Sequence, residues 1–171
     1  MGRGVAGGKP VHRLGIGELR MAAFDALLGA ELVAVDGGPV PSQGLLKALF
    51  AQMRPDPVMF ALVDDLKNAG VQVALLSNSW GNTYPRDQIN AVFDPVVISG
   101  ECGMRKPNPD IFLHTLDLLG IPADRAVFVD DAEPNTDGAS ALGLQTVLHV
   151  DADTTRHELA RLVPALSAHT S

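Results

Sequence analysis

Apolar side chains recur at helical spacing in two early segments, residues 18–28 (ELRMAAFDALL) and 42–53 (SQGLLKALFAQM). Leu45, Leu46, Leu49, Phe50 and Met53 share one face of the second, so both segments predict amphipathic helices. Between them ELVAVD (31–36) reads as a short strand or a helix end, and GGPVP as a loop. From Asp56 the pattern becomes regular. Asp56 and Pro57 start a helix, Met59, Leu62, Val63 and Leu66 form its buried stripe, and Gly70 stops it. The unbroken run VQVALL (71–76) predicts a buried strand. The cycle then repeats: a short helix over 86–92, a strand at PVVIS, a helix started by Asn108 and Pro109 and stopped at Gly120, and a strand AVFVD. A helix stopped at Gly143, a strand QTVLHV and a last helix over 153–166 complete it. Such alternation predicts an α/β fold, a parallel sheet with helices on both faces. Ligands of open parallel sheets collect beyond the carboxyl ends of the strands, where Ser77, Asp130 and Asp131 all fall.

Composition narrows the field. With 171 residues and 46% hydrophobic content, the chain suits one domain, or a core with a partial accessory lobe. Its formal charge of −7, from 13 Lys and Arg against 20 Asp and Glu, supplies no basic stripe for a phosphate backbone, so nucleic acid is not an expected partner. One cysteine, Cys102, rules out an internal disulfide, and no charged leader with an apolar run and cleavage site is visible, which predicts a cytoplasmic location. The apolar runs are too short to span a bilayer, so no membrane association is expected. The opening MGRGVAGGKP is Gly-rich and aperiodic and reads as a flexible tail over residues 1–11. Oligomeric state leaves no trace in the pattern.

Three strings carry chemistry: LLSNSWG (75–81), GMRKPNP (103–109) and VFVDDAEPN (127–135). Ser77 and Asn78 end a strand, and Gly81 and Asn82 let backbone amides turn inward, a geometry suited to anionic oxygens; a plain Ser/Asn turn is the bland alternative. Lys106 lies in a loop stiffened by Pro107 and Pro109, which makes its ammonium a placed point charge for a phosphate, whereas Arg105 reads as a solvated loop residue. Asp130 and Asp131 end a strand buried on both faces. Adjacent carboxylates there need a cation or a set of donors, and Mg²⁺ with its oxygen preference fits, although Asp130 serves equally as a cap or loop brace. Asn135 either orients the metal's shell or caps. The five histidines show no ligand spacing, Cys102 reads as structural, and Trp80 and Tyr84 line a pocket or pack under a loop.

In their order, these strings resemble motifs II, III and IV of the haloacid dehalogenase (HAD) superfamily of hydrolases. The nearest likeness is to its phosphatase-like branch related to the amino-terminal domain of soluble epoxide hydrolases, and it covers residues 55–150. The resemblance implies a HAD-like Rossmannoid sheet, Mg²⁺ as cofactor and a small phosphorylated metabolite as substrate. It implies catalytic roles for Ser77, which would hydrogen-bond the transferring phosphoryl group, and for Lys106, which would steady phosphoryl and nucleophile. Asn78 would bind beside Ser77, Asp131 would hold the metal, and Asp130 and Asn135 would support it.

One departure is serious. The family begins with a central strand ending in Asp-x-Asp, the first Asp being the nucleophile and the second the general acid and base, and no such motif precedes Leu75. Residues 12–54 instead resemble a partial helical cap. The expectation is therefore a tail (1–11), a partial cap (12–54) and a core (55–171) without its first strand, N-terminally truncated so that the nucleophile lies upstream of this sequence. A rival alignment makes Asp36 the nucleophile of a capless enzyme. A non-catalytic HAD-like binding module is a further alternative; a response-regulator receiver is excluded, because its acidic pair would come first along the chain. Loss of a central strand predicts two unpaired apolar edges with a groove between them.

Overall fold

In the computed structural model, residues 10–15, 19–51, 54–79 and 86–168 are described. Helices α1 (Pro10–Gly15), α2 (Met21–Glu31) and α3 (Leu45–Phe50) come first, and α1 and α2, then α2 and α3, pack on each other. The expected second helix is shorter than its pattern. Gly44 at φ 75° begins it, Leu46 is buried at its centre, and Leu49 is 60% exposed, so only part of the apolar stripe finds a partner. Met53 lies outside the described residues. What anchors α3 is Asp25 of α2, a buried carboxylate that accepts from the backbone amides of Gly44 (3.1 Å) and Leu46 (2.9 Å). Those are two of the orphan donors of a helix start. The ELVAVD segment forms no regular strand; one antiparallel bridge joins Val33 to Pro39.

Helix α4 (Pro57–Asn68) starts as its sequence predicts, with the Asp56 side chain accepting from the amides of Val58 and Met59 and Pro57 at the first turn. There follow β1 (Leu75–Ser77), α5 (Arg86–Val92), β2 (Val96–Ile98), α6 (Ser99–Cys102) and α7 (Pro109–Leu119). A 3-10 turn at Ala123–Arg125 leads to β3 (Val127–Asp130), α8 (Glu133–Ser140), β4 (Gln145–Leu148), α9 (Ala152–Leu162) and α10 (Pro164–Ala168). The single last helix expected over 153–166 is two, because Pro164 cannot donate to the ladder and Val163 leaves helical geometry.

The strands are parallel, as expected, yet they form two pairs instead of one sheet: β1 with β2, and β3 with β4. Side chains alternate across both pairs. Leu76 and Phe128 pack into one cluster with Ile111, Phe112, Leu116 and Ala139, where Phe112 meets Phe128 edge to face at 5.2 Å. Val73, Val127 and Val129 pack on the other side with Leu62, Leu66, Val147 and Leu159. Both faces are thus covered by helices, and the two pairs lie within one apolar body. Between β1 and β3 runs a cleft of about 740 Å³, walled by residues 71–76 on one side and 126–129 on the other. The expected strand VQVALL is correspondingly regular only from Leu75, since each strand of a ladder is defined by its partners and this one has a partner on one side among the described residues.

Candidate active site

The carboxyl ends of β1 and β3 bring the three motif strings together. Ser77 ends β1 and is half-buried. Beside it, the Asn78 amide clamps the 103–109 loop in both directions: its Oδ1 accepts from the Lys106 backbone N–H at 2.9 Å, and its Nδ2 donates to the Lys106 carbonyl at 2.9 Å. Ser79 continues the turn, and the wholly buried Ser99 hydroxyl bonds both its N–H (3.0 Å) and its carbonyl (3.1 Å), tying the turn to the start of α6. Trp80, Gly81, Asn82 and Tyr84 fall outside the described residues.

Lys106 is 7% exposed. Its ammonium donates to the Leu76 carbonyl of β1 at 2.8 Å and to Asp130 Oδ2 of β3 at 2.6 Å, and it lies 5.4 Å from the centroid of the Phe128 ring. One cation therefore spans the mouth of the cleft. Helix α8 fixes the loop that carries it. A Cβ on Gly138 would stand 2.8 Å from the Pro107 carbonyl oxygen, so only glycine lets α8 lie this close to the lysine loop.

Asp130 is the electrostatic centre. Its Oδ2 takes Lys106, while Oδ1 accepts from the Ala132 amide at 2.9 Å and from Asn135 Nδ2 at 2.8 Å. Burial pulls this carboxyl upward, but the hydrogen bonds from Lys106, Asn135 and Ala132, with the ammonium's charge, outweigh it and leave the group below its ordinary value. Asp131, next in sequence, is exposed and makes no hydrogen bond among the described residues. The twin acids are thus unlike: one is committed to protein donors, the other keeps its lone pairs. Among the described residues no group of three or more His, Cys, Asp or Glu is arranged around a metal position.

Asp36 stands elsewhere. It sits on an exposed turn, accepting from the Gly38 amide at 2.9 Å, and its segment joins neither parallel pair. Arg105 departs from its solvated reading: Nε donates to the Lys106 carbonyl at 3.4 Å, Nη1 is buried with no partner among the described residues, and burial lowers its pKa. Cys102 is a free, half-buried thiol against the carbonyls of Ser99 and Met104, in keeping with a packing role. Sequence reasoning missed Ser99 and Gly138, whose parts depend on neighbours distant in the chain.

The family model of haloacid dehalogenase-like hydrolases matches residues 10–143, and the chain belongs to that family. Among curated relatives, it is 32% identical over 117 residues to the sesquiterpene phosphatase astK of Aspergillus oryzae, covering 65% of this chain and 59% of that protein. It is 32% identical over 104 residues to the glyceraldehyde 3-phosphate phosphatase of Methanopyrus kandleri, covering 57% and 44%. The chain thus spans about half the length of these relatives. A HAD-like family hydrolase from Porphyromonas gingivalis shares the fold with a TM-score of 0.68 at 25% identity, over 88% of this chain and 77% of that one. A HAD family enzyme from Bacteroides thetaiotaomicron, solved as a magnesium complex, superposes with a TM-score of 0.61 at 24% identity, over 80% and 72%. No helix among the described residues is long and apolar enough to cross a membrane.

Proposed function

We propose that this chain is the phosphoryl-binding body of a Mg²⁺-dependent phosphatase of small organic phosphates, with its Asp nucleophile carried on a segment outside this sequence. The observation that supports this most is the buried Lys106 ammonium, stretched between β1 and Asp130 at the carboxyl ends of the strands. A desolvated cation there is a strong point charge for a phosphoryl oxygen, and Ser77 directly follows Leu76, whose carbonyl the ammonium holds. The phosphatase names of its relatives point the same way. In this reading Asn78 keeps Lys106 in place by gripping its peptide unit, and Asn135 and Lys106 together hold Asp130 ionised.

Asp131 is the proposed metal ligand, with Asp130 a supporting group. Mg²⁺ takes one or two carboxylates plus waters and substrate oxygens, so a single uncommitted carboxylate beside a braced one is compatible with it. When bound, the ion would neutralise phosphoryl charge. The helices of residues 12–54 are proposed as the partial cap over this site, and residues 55–171 as the core.

Mg²⁺-dependent hydrolysis of p-nitrophenyl phosphate tests the reading, compared between this chain and one extended at its amino end by an apolar strand ending in Asp-x-Asp. Turnover confined to the extended chain is expected. Turnover by the short chain that Asp36→Asn abolishes would establish the capless enzyme instead. Asp131→Asn should weaken Mg²⁺ binding, read by calorimetry, far more than Asp130→Asn, and equal losses would overturn the division of roles. A second reading, a binding module without turnover, draws on the mutual engagement of Lys106 and Asp130; phosphate-dependent stabilisation with both chains inert would favour it.

A further inference from the structure

The turn that follows Ser77 begins where a ladder ends. β1 pairs with β2 as far as Ser77 opposite Ile98, and Asn78 and Ser79 lie beyond that last rung. Backbone past a strand end must find its hydrogen-bond partners elsewhere. Ser79 finds both on one side chain: its N–H donates to Ser99 Oγ at 3.0 Å, and its carbonyl accepts from the same hydroxyl at 3.1 Å. The Gly100 amide adds a further bond to that carbonyl, also at 3.1 Å. Ser99 is wholly buried, and its own carbonyl is held by the Gly103 amide at 2.9 Å, which seats it in α6. A serine hydroxyl has one proton to give and two lone pairs, and this one is engaged as donor and acceptor at once. The N–H and C=O of Ser79 belong to the two planar peptide units that flank it, so gripping both fixes the dihedrals between them.

We propose that Ser99 is a positioning residue for the phosphoryl site: its hydroxyl sets the turn over Ser77, Asn78 and Ser79 and, through Asn78, the loop that carries Lys106. This role rests on the proposed function only for what the turn binds. The links are continuous. The peptide plane that holds the Ser79 N–H begins at the Asn78 carbonyl, so fixing it orients Asn78. The Asn78 amide then repeats the two-point grip on Lys106, taking its N–H and its carbonyl at 2.9 Å each. The Lys106 ammonium returns to β1 at the Leu76 carbonyl, 2.8 Å away, and closes a ring of Leu76, Ser77, Asn78 and Lys106. Ser77 is enclosed in that ring between two fixed neighbours, and Ser99 ties the ring to α6 from outside. Binding groups have to be held within about 0.5 Å of their working geometry by such supporting bonds. Serine suits the position because alanine would leave the buried Ser79 N–H without its acceptor, and threonine would add a methyl group at a site with no exposed surface.

Ser99→Ala in the full chain tests this by amide hydrogen exchange and by calorimetric titration with inorganic phosphate in the presence of Mg²⁺. Exchange should quicken at the amides of both Ser79 and Lys106, and phosphate affinity should fall by about tenfold, the equivalent of one or two hydrogen bonds. Asn78→Ala cuts the relay one step further on, so exchange should quicken at Lys106 and stay slow at Ser79. Thr115→Val is the matched control. It removes another buried hydroxyl bonded to backbone, the one that donates to the Ile111 carbonyl within α7, and should leave phosphate affinity and both amides as they were. Ser99→Cys keeps a weak donor and acceptor in place and should fall between serine and alanine in both readouts; it carries the comparison if Ser99→Ala loses its cooperative unfolding transition. Faster exchange at Ser79 alone would overturn the proposal, since Ser99 would then be a local stitch. So would an affinity loss in Thr115→Val as large as that in Ser99→Ala, because lowered stability would account for both. The two claims separate: if the unsubstituted chain binds no phosphate, the phosphoryl reading falls, while the exchange at Ser79 and Lys106 still decides whether Ser99 sets the lysine loop.

Discussion

Replacing Lys106 by methionine removes a charge while keeping most of the side chain's volume, and the structure sets the size of the effect. The pair it breaks is 2.6 Å long, with side chains 9% and 6% exposed. Truncating one partner of such a pair costs about 3–5 kcal/mol, because the survivor is left charged and desolvated. Here the survivor, Asp130, keeps the Ala132 amide and Asn135 Nδ2, which places the cost at the low end, about 3 kcal/mol, including the bond lost to the Leu76 carbonyl. In urea that should lower the unfolding midpoint by about 1 M. The pH dependence carries the sign. In the wild type the Asp130 carboxyl lies below its ordinary value, so its stabilising contribution is full above the unfolded carboxylate pKa and is lost as pH falls through the folded one. In Lys106→Met burial meets weaker opposition and the carboxyl moves upward, so the penalty is largest at neutral pH and shrinks as acid protonates the group. Urea titrations at about pH 7.5 and about pH 4.5 should therefore show a smaller gap at the lower pH than at the higher. Adding Asp130→Asn to Lys106→Met should recover more than half of the loss at the higher pH. A penalty below about 1 kcal/mol there, or one independent of pH, would refute the account of a tightly desolvated pair.

Other positions offer cleaner single readings. Gly138→Ala places a methyl 2.8 Å from the Pro107 carbonyl, so α8 must shift off the lysine loop; a loss of about 1–3 kcal/mol in thermal or urea unfolding is expected, and a neutral result would mean the helix is loosely seated. Asn78→Ala removes both bonds to the Lys106 peptide unit and should cost about 1–3 kcal/mol, with faster exchange of the Lys106 amide; unchanged exchange would show that the clamp does not hold the loop. Asp25→Ala leaves the amides of Gly44 and Leu46 unsatisfied and should cost about 1–2 kcal/mol, with lost protection confined to α3; protection lost evenly across the chain would contradict a local cap.

What could be read without coordinates is what neighbouring residues decide among themselves. Asp56 before Pro57, and Asn108 before Pro109, satisfy helix amides two residues away, so α4 and α7 begin where the chain's own spelling puts them. Gly120, at φ 67°, stops α7 for an equally local reason. The parallel α/β class followed from unbroken apolar runs alternating with amphipathic ones, and the three motif strings located the strand ends on which the candidate site lies. Pro164 carried a break in the last helix that periodicity alone passed over.

Partnership across distance was settled by the tertiary structure. Adjacent acids look alike in a string; packing gave Asp130 three donors, from Lys106, Ala132 and Asn135, and left Asp131 in solvent. Arg105 seemed the kind of residue water surrounds, yet the fold half-buries it and covers its Nη1. Strand runs reveal apolar character and say little about how many neighbours each will have, so the division into two pairs, with a lysine bridging the mouth of the cleft between them, belongs to three-dimensional geometry. The physical reason is the same in each case: caps and stops act over a turn of chain, whereas charge pairing, burial and ladder completion depend on groups tens of residues apart that meet only once the chain is folded.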